Sequence, residues 1–183
     1  MPNMNSNSNI RTKRDITNAF MELLTTKTFS SITIHDICKK SLVHRSTFYR
    51  YYEDKYDLLS HVTTIIGNDL FQNVNRNHES SHSFYEQILD YVEEHKQLFL
   101  NITIKNNNND VYDEFVKMGS RFLMENSKAM DDPISKKIRH SNYSKLACDF
   151  YMSGLIEIFK NWVCENYKIS KQELIETLQN LME

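Results

Sequence analysis

Between positions 45 and 51 six side chains are able to form hydrogen bonds: Arg45, Ser46, Thr47, Tyr49, Arg50 and Tyr51. Two guanidiniums, two hydroxyls and two phenols this close together make a donor-rich surface, the chemistry that meets phosphate oxygens and base edges. Phe48 and Tyr52 are four apart and share one helix face. Anchored by those two rings, a short helix turns its polar residues outward, which suits the major groove of DNA. Thr47, Tyr49 and Lys55 read as phosphate contacts. Arg45, Ser46 and Arg50 read as the residues that reach base edges, arginine pairing with O6 and N7 of guanine. Tyr51 suits either task. His44, at the helix start, reads as a backbone or phosphate neighbour, with no His or Cys partner at metal-ligand spacing.

Other chemistries find little support. Glu93, Glu94 and His95 are contiguous, without the one-turn separation of an H-E-x-x-H site. There is no glycine-rich phosphate loop and no Ser or Cys in a nucleophile setting. We expect no enzyme, no cofactor and no metal. Cys38, Cys148 and Cys164 fall on apolar faces without C-x-x-C spacing, as buried thiols in a reducing cytoplasm would. No apolar run approaches the roughly 20 residues that span a bilayer, so no membrane partner is expected. The formal net charge of −2 is unevenly spread. Residues 1–51 hold eight Lys and Arg against three Asp and Glu, and residues 52–183 hold fourteen against twenty-one. A basic head on an acidic body fits a chain whose head alone meets a polyanion.

The elements that must position the polar cluster are helical. Three glycines and two prolines in 183 residues leave little material for tight turns, and the apolar spacing is three and four throughout. The fold class is all-α. Ile34, Ile37 and Cys38 give one short helix its apolar face, and Thr33 with Asp36 makes a variant capping box at its start. Leu42 and Val43 break the rhythm before Arg45 resumes it. Upstream, Ile16, Ala19, Phe20, Leu23 and Leu24 line a helix over 10–26. Arg11, Lys13 and Arg14 crowd its start, where the helix dipole disfavours cations; a phosphate neighbour would give that placement a purpose. Residues 1–9, rich in Asn and Ser, are expected to form a disordered tail.

The run Thr33-x-x-x-Ile37-Cys38, Val43, Ser46-Thr47-Phe48-Tyr49-Arg50-Tyr51-Tyr52, Lys55 and Leu58-Leu59 resembles the tetracycline-repressor (TetR) family of bacterial regulators. The likeness covers about residues 10–60. Leu42 stands where that family has a turn glycine, Ser46 where it often has a second, and His44 where a serine would cap the recognition helix. A leucine forced to positive φ costs on the order of 1 kcal/mol. The resemblance implies a three-helix helix-turn-helix head over 10–56, with the motif at about 32–51, and a helical effector-binding and dimerisation body over 57–183. It implies that Thr33 donates to a phosphate, that the first helix lies near the DNA backbone, and that a fourth helix couples body to head. The implied function is a homodimeric regulator of transcription on a near-palindromic double-stranded operator, a repressor released by an effector.

Beyond the head, Asp54 caps a helix to about residue 75, and Ser83 with Glu86 opens another to 95. A short helix is expected at 96–104, a longer one at 111–130, and a loop or short helix from Asp132 and Pro133 through His140. Residues 143–167 carry the longest periodicity, and Ser170 with Glu173 caps the last helix. The apolar band of 143–163 is wider than one core contact needs. A dimer seam is expected at Leu155, Ile158, Trp162, Leu174 and Leu178. A small-molecule or protein effector is expected among Phe99, Met118, Phe122, Tyr151 and Phe159. Residues 150–170 are also similar to a TetR subgroup of low-GC Gram-positive bacteria, in some of which the partner is a protein. The alternative function is a co-regulator whose body answers to such a partner.

Overall fold

The computed structural model describes residues 4–76, 84–104 and 109–182. Ten α-helices carry these residues: α1 (Met4–Leu24), α2 (Ile34–Ser41), α3 (Arg45–Tyr51), α4 (Lys55–Arg76), α5 (Phe84–Glu94), α6 (Lys96–Phe99), α7 (Asn109–Asn126), α8 (Pro133–His140), α9 (Ser144–Val163) and α10 (Lys171–Met182). A 3-10 turn at Phe29–Ser31 and a π-helical turn at Leu100–Ile104 complete the order. The fold is all-α. Two compact units divide it: Met1–Thr63 with Gln97–Asn108, and Thr64–Lys96 with Asn109–Glu183.

In the first unit the apolar stripe of α1 is the core. Ile16, Phe20 and Leu24 are buried with Phe29, Ile32, Ile37 and Phe48, and Leu58 and Val62 come in from α4. Full burial of each such side chain contributes roughly 1.5–3 kcal/mol. α1 is longer than its apolar periodicity implies. Residues 4–9, expected within a disordered tail, continue the helix, because each residue added to a docked helix gains a hydrogen bond without a new nucleation cost. The unit also takes in residues well past 10–56. Asn101 donates from Nδ2 to the Leu24 carbonyl at 2.8 Å, closing the end of α1, and Leu98 and Ile102 are buried.

In the second unit α9 is central, with α5, α7 and α8 packed on it and α10 packed on α5. A Cβ on Gly119 would meet the Met152 methyl at 2.1 Å, so α7 runs close to α9 there. Arg139 of α8 donates to the carbonyls of Ser127 and Met130, and Asp132 caps α8 through the Ser135 N–H at 3.0 Å. α9 stops at Val163, short of 167. Glu165 turns to φ 60°, its N–H reaching Trp162 O at 2.9 Å while Asn166 N–H reaches Asn161 O at 3.0 Å. That is a Schellman ending with glutamate where glycine is usual. Ser170 and Glu173 form the expected cap of α10: Ser170 N–H donates to Glu173 Oε2 at 2.7 Å, and Glu173 N–H to Ser170 Oγ at 3.3 Å. The cap expected from Ser83 lies outside the described residues.

The residues expected at a dimer seam differ in exposure. Leu155, Leu174 and Leu178 are buried within the chain, and Ile158 and Trp162 are half-buried. α9 sends Cys148, Met152, Leu155, Phe159 and Val163 inward. Its opposite face carries Tyr143, Leu146 and Phe150, exposed by 74%, 68% and 72%. Gly154 continues that face, and a Cβ added there meets nothing within 4 Å. An apolar band too wide for one contact has been divided, half to the core and half to the surface.

Candidate nucleic-acid interface

The polar cluster stands on α3, seven residues held by what lies beneath. Phe48 is 0% exposed and Tyr52 is buried, while Arg45, Ser46, Tyr49 and Arg50 are exposed and Thr47 and Tyr51 half-buried. The Phe48 ring stacks edge-on to Tyr49 at 5.6 Å and lies 5.8 Å from Tyr52. Neither arginine is drawn inside. Arg45 Nη2 donates to Tyr49 Oη at 3.1 Å, and its guanidinium carbon sits 5.5 Å from the ring centre. Arg50 Nη2 approaches Tyr51 Oη at 3.5 Å. Two cations are thus laid along two phenols on the open side of one short helix.

The turn that aims α3 carries strain. Leu42 takes φ 56°, ψ 34°, at the glycine position of the family pattern, and is 92% exposed. The turn keeps its left-handed geometry, with Val43 N–H bonded to Cys38 O at 3.1 Å. His44 is the N-cap of α3 in backbone terms only; its side chain makes no capping bond and lies exposed. The carbonyl of His44 accepts from the N–H groups of Thr47 and Phe48 at 2.9 and 3.1 Å.

Two expected phosphate contacts are already engaged within the protein. Lys55 is half-buried, and its ammonium donates to the carbonyls of Phe29, Ser30 and Ile32 at 3.1, 3.2 and 3.0 Å. Three donors on three acceptors exhaust an ammonium. The Phe29 ring centre lies 4.6 Å away, and burial pushes the Lys55 pKa down. Lys55 is therefore a clamp on the 3-10 turn: it gathers the carbonyls of Phe29, Ser30 and Ile32 on one cation, sharing that of Phe29 with the Ile32 N–H. At Thr33 the N–H and the hydroxyl both donate to Asp36 Oδ2, at 2.9 and 2.7 Å, while Thr33 Oγ1 accepts from Asp36 N–H at 3.1 Å. The Thr33 hydroxyl and N–H hold the Asp36 carboxyl at about pKa 2. A phosphate arriving at Thr33 would face that carboxylate.

Tyr52 carries a relay that the sequence reading missed. Its hydroxyl lies 3.2 Å from Thr17 Oγ1 and 2.7 Å from His61 Nδ1, joining α1, the end of α3 and α4. Burial raises the Tyr52 pKa, and burial with the nearby Lys13 cation lowers that of His61. The signal was in the spacing from Phe48, which turns the Tyr52 ring inward, since a buried phenol requires a partner.

Among the expected effector residues, Phe122 and Phe159 are packed core and Met118 and Tyr151 are half-buried, all in the second unit; Phe99 belongs to the first. A cavity of about 290 Å³ in the second unit is lined instead by Glu93, Lys96, Trp162, Val163, Glu165, Tyr167, Ile169, Ser170 and Lys171. Its charges are paired: Lys96 with Glu165 at 2.8 Å, Lys171 with Glu93 at 2.9 Å and with Asp90. Among the described residues no group of three His, Cys, Asp or Glu is placed to hold a metal ion, and no helix is long and apolar enough to cross a membrane.

This all-α fold has counterparts among known proteins. Residues 79–183 match the family TetR_C_8, "Transcriptional regulator C-terminal region". The chain belongs to the TetR family of transcriptional regulators. It is 25% identical over 144 residues to the HTH-type dhaKLM operon transcriptional activator DhaS of Lactococcus lactis subsp. lactis (strain IL1403), covering 76% of this chain and 70% of that protein. The fold is similar to that of a TetR transcriptional regulator from Streptococcus agalactiae 2603V, with a TM-score of 0.65 and 22% identity over 98% of this chain and 97% of the other. It is also similar to the structure of the dihydroxyacetone kinase operon activator DhaS, with a TM-score of 0.58 and 20% identity over 94% of each chain.

Proposed function

We propose that this regulator binds double-stranded DNA as a homodimer and reads a near-palindromic operator with α3. The observation that carries the reading is the fully buried Phe48 beneath exposed Arg45 and Arg50. Arg45, Ser46 and Arg50 reach base edges; Thr47, Tyr49, Tyr51 and His44 lie along the phosphates. Lys55 and Thr33 act at one remove, holding the 3-10 turn and the start of α2 in place. The second copy docks on the exposed face of α9, where Tyr143, Leu146, Phe150 and open Gly154 provide apolar area and close backbone approach. The three cysteines are free thiols, in keeping with work in the cytoplasm. Bound sequences selected from a random DNA pool should contain two inverted half-sites about one helical turn, roughly 34–36 Å, or modestly more apart. In solution the protein should sediment at twice its 21.8 kDa chain mass. Recovery of unrelated sequences, or of a monomer at the concentrations that bind DNA, would overturn the reading.

The sequence-level expectation of a repressor released by an effector has a rival, a body that answers to a protein partner. The packed state of Phe122 and Phe159 favours the rival, since a small molecule there would have to displace core side chains. The name of the L. lactis relative favours activation as the outcome. Release of the bound operator by a protein-free, small-molecule fraction of cell extract would restore the first reading.

A further inference from the structure

The helix ahead of the basic run of α1 reaches the reading helix. The Tyr51 hydroxyl, at the C-terminal end of α3, donates to Asn9 Oδ1 at 2.8 Å across 42 positions of sequence. Arg50 Nη2 approaches the same phenol oxygen at 3.5 Å, with its guanidinium carbon 5.2 Å from the ring centre. The polarity runs one way: guanidinium to phenol, phenol to amide carbonyl. A phenol has one proton, and because Asn9 takes it, the lone pairs of the oxygen are left facing the cation. Hydrogen bonds aligned head to tail polarise one another, so the bond to Asn9 strengthens the hold on Arg50. Asn9 and Arg50 are exposed and Tyr51 is half-buried, which puts this clasp at the edge of the reading surface and outside the core.

We propose that Asn9 is a positioning residue for DNA reading, fixing the Tyr51 ring and oxygen so that Arg50 is oriented before DNA arrives. Part of the guanidinium's rotamer entropy is then lost on folding and not on binding, and that gain falls to the duplex whose base edges match the fixed geometry. A duplex bound only through phosphates accepts Arg50 in many poses and gains little. The inference rests on the DNA-binding reading above.

The test is a ratio of dissociation constants, for a duplex selected from a random pool and for its scramble, at one salt concentration with the full chain. Asn9→Ala and Tyr51→Phe should each lower the ratio roughly fivefold, the worth of one hydrogen bond. The double variant should lose no more than the larger single loss, because both residues act in one chain of contacts. Asn9→Asp keeps an acceptor in place and should keep the ratio, although its charge weakens both duplexes alike. Arg50→Ala separates the possible failures. If it collapses the ratio while Asn9→Ala and Tyr51→Phe do not, the clasp is overturned and the DNA reading stands. An unchanged ratio in all three overturns both. Losses that add in the double variant overturn the clasp.

Discussion

At the residue scale, Leu42 and Lys55 show why single positions of a motif differ in meaning. Leu42 keeps a left-handed backbone that its Cβ opposes, and at 92% exposure its side chain returns almost nothing in packing. Leu42→Gly should therefore stabilise the protein by about 1 kcal/mol in urea unfolding, less whatever the freer glycine costs through the unfolded chain. A destabilised variant would mean that the leucine packs in some way this geometry does not hold. Lys55→Met keeps the stem and deletes the donor that three carbonyls at the 3-10 turn share. It should cost about 2 kcal/mol of stability, and leave the salt dependence of DNA binding unchanged once folding is corrected for. A salt slope flatter by one phosphate would return Lys55 to the DNA. Asp36 adds a pH dependence. Its folded pKa of about 2 lies below the ordinary 3.8, so the cap contributes above that ordinary value. The contribution is lost as pH falls from about 4 toward 2. Asp36→Asn should remove that part of the acid transition, seen as a flatter stability profile over the window.

At the scale of elements, the lesson lies in α9. Periodicity alone located the helix and its excess apolar width, and it placed α3 with Phe48 and Tyr52 inward. What periodicity does not carry is rotation: it cannot say which edge of a wide band the rest of the chain covers. Leu155 and Phe150 are equally apolar, yet one is buried by the neighbouring helices and the other is 72% exposed. The capping boxes at Thr33 and Ser170 were legible because their bonds span three residues. Lys55 on Phe29, Ser30 and Ile32, and Tyr51 on Asn9, were not, because they join positions far apart in sequence. The prediction at this scale is Phe150→Asp. A charge at the centre of the open face should leave the helical content and melting temperature of the chain nearly unchanged, and shift sedimentation from dimer to monomer at micromolar concentration. Leu178→Asp, by contrast, should unfold the chain or lower its melting temperature sharply, since it buries an unpaired charge. A dimer that survives Phe150→Asp places the seam elsewhere.

At the scale of the whole molecule, basic charge is gathered toward the first 51 residues, and the surplus of acid lies beyond. On the DNA-binding reading, such a distribution steers the basic part of the chain toward a polyanion before any contact forms. On the proposed reading, attraction of this kind binds any DNA and discrimination comes from α3. The proposal divides the function accordingly: sequence-independent attraction from the charge distribution, reading from the few side chains that Phe48 and Tyr52 hold outward. The most direct test compares dissociation constants for the selected operator and a scrambled duplex, in wild type and in Arg50→Ala, at equal ionic strength. The account predicts that the variant binds the scrambled duplex within about threefold of wild type after its one lost charge, while its preference for the operator falls roughly tenfold or more. An unaltered preference in Arg50→Ala, and likewise in Arg45→Ala, would contradict the assignment of α3 as the reading element.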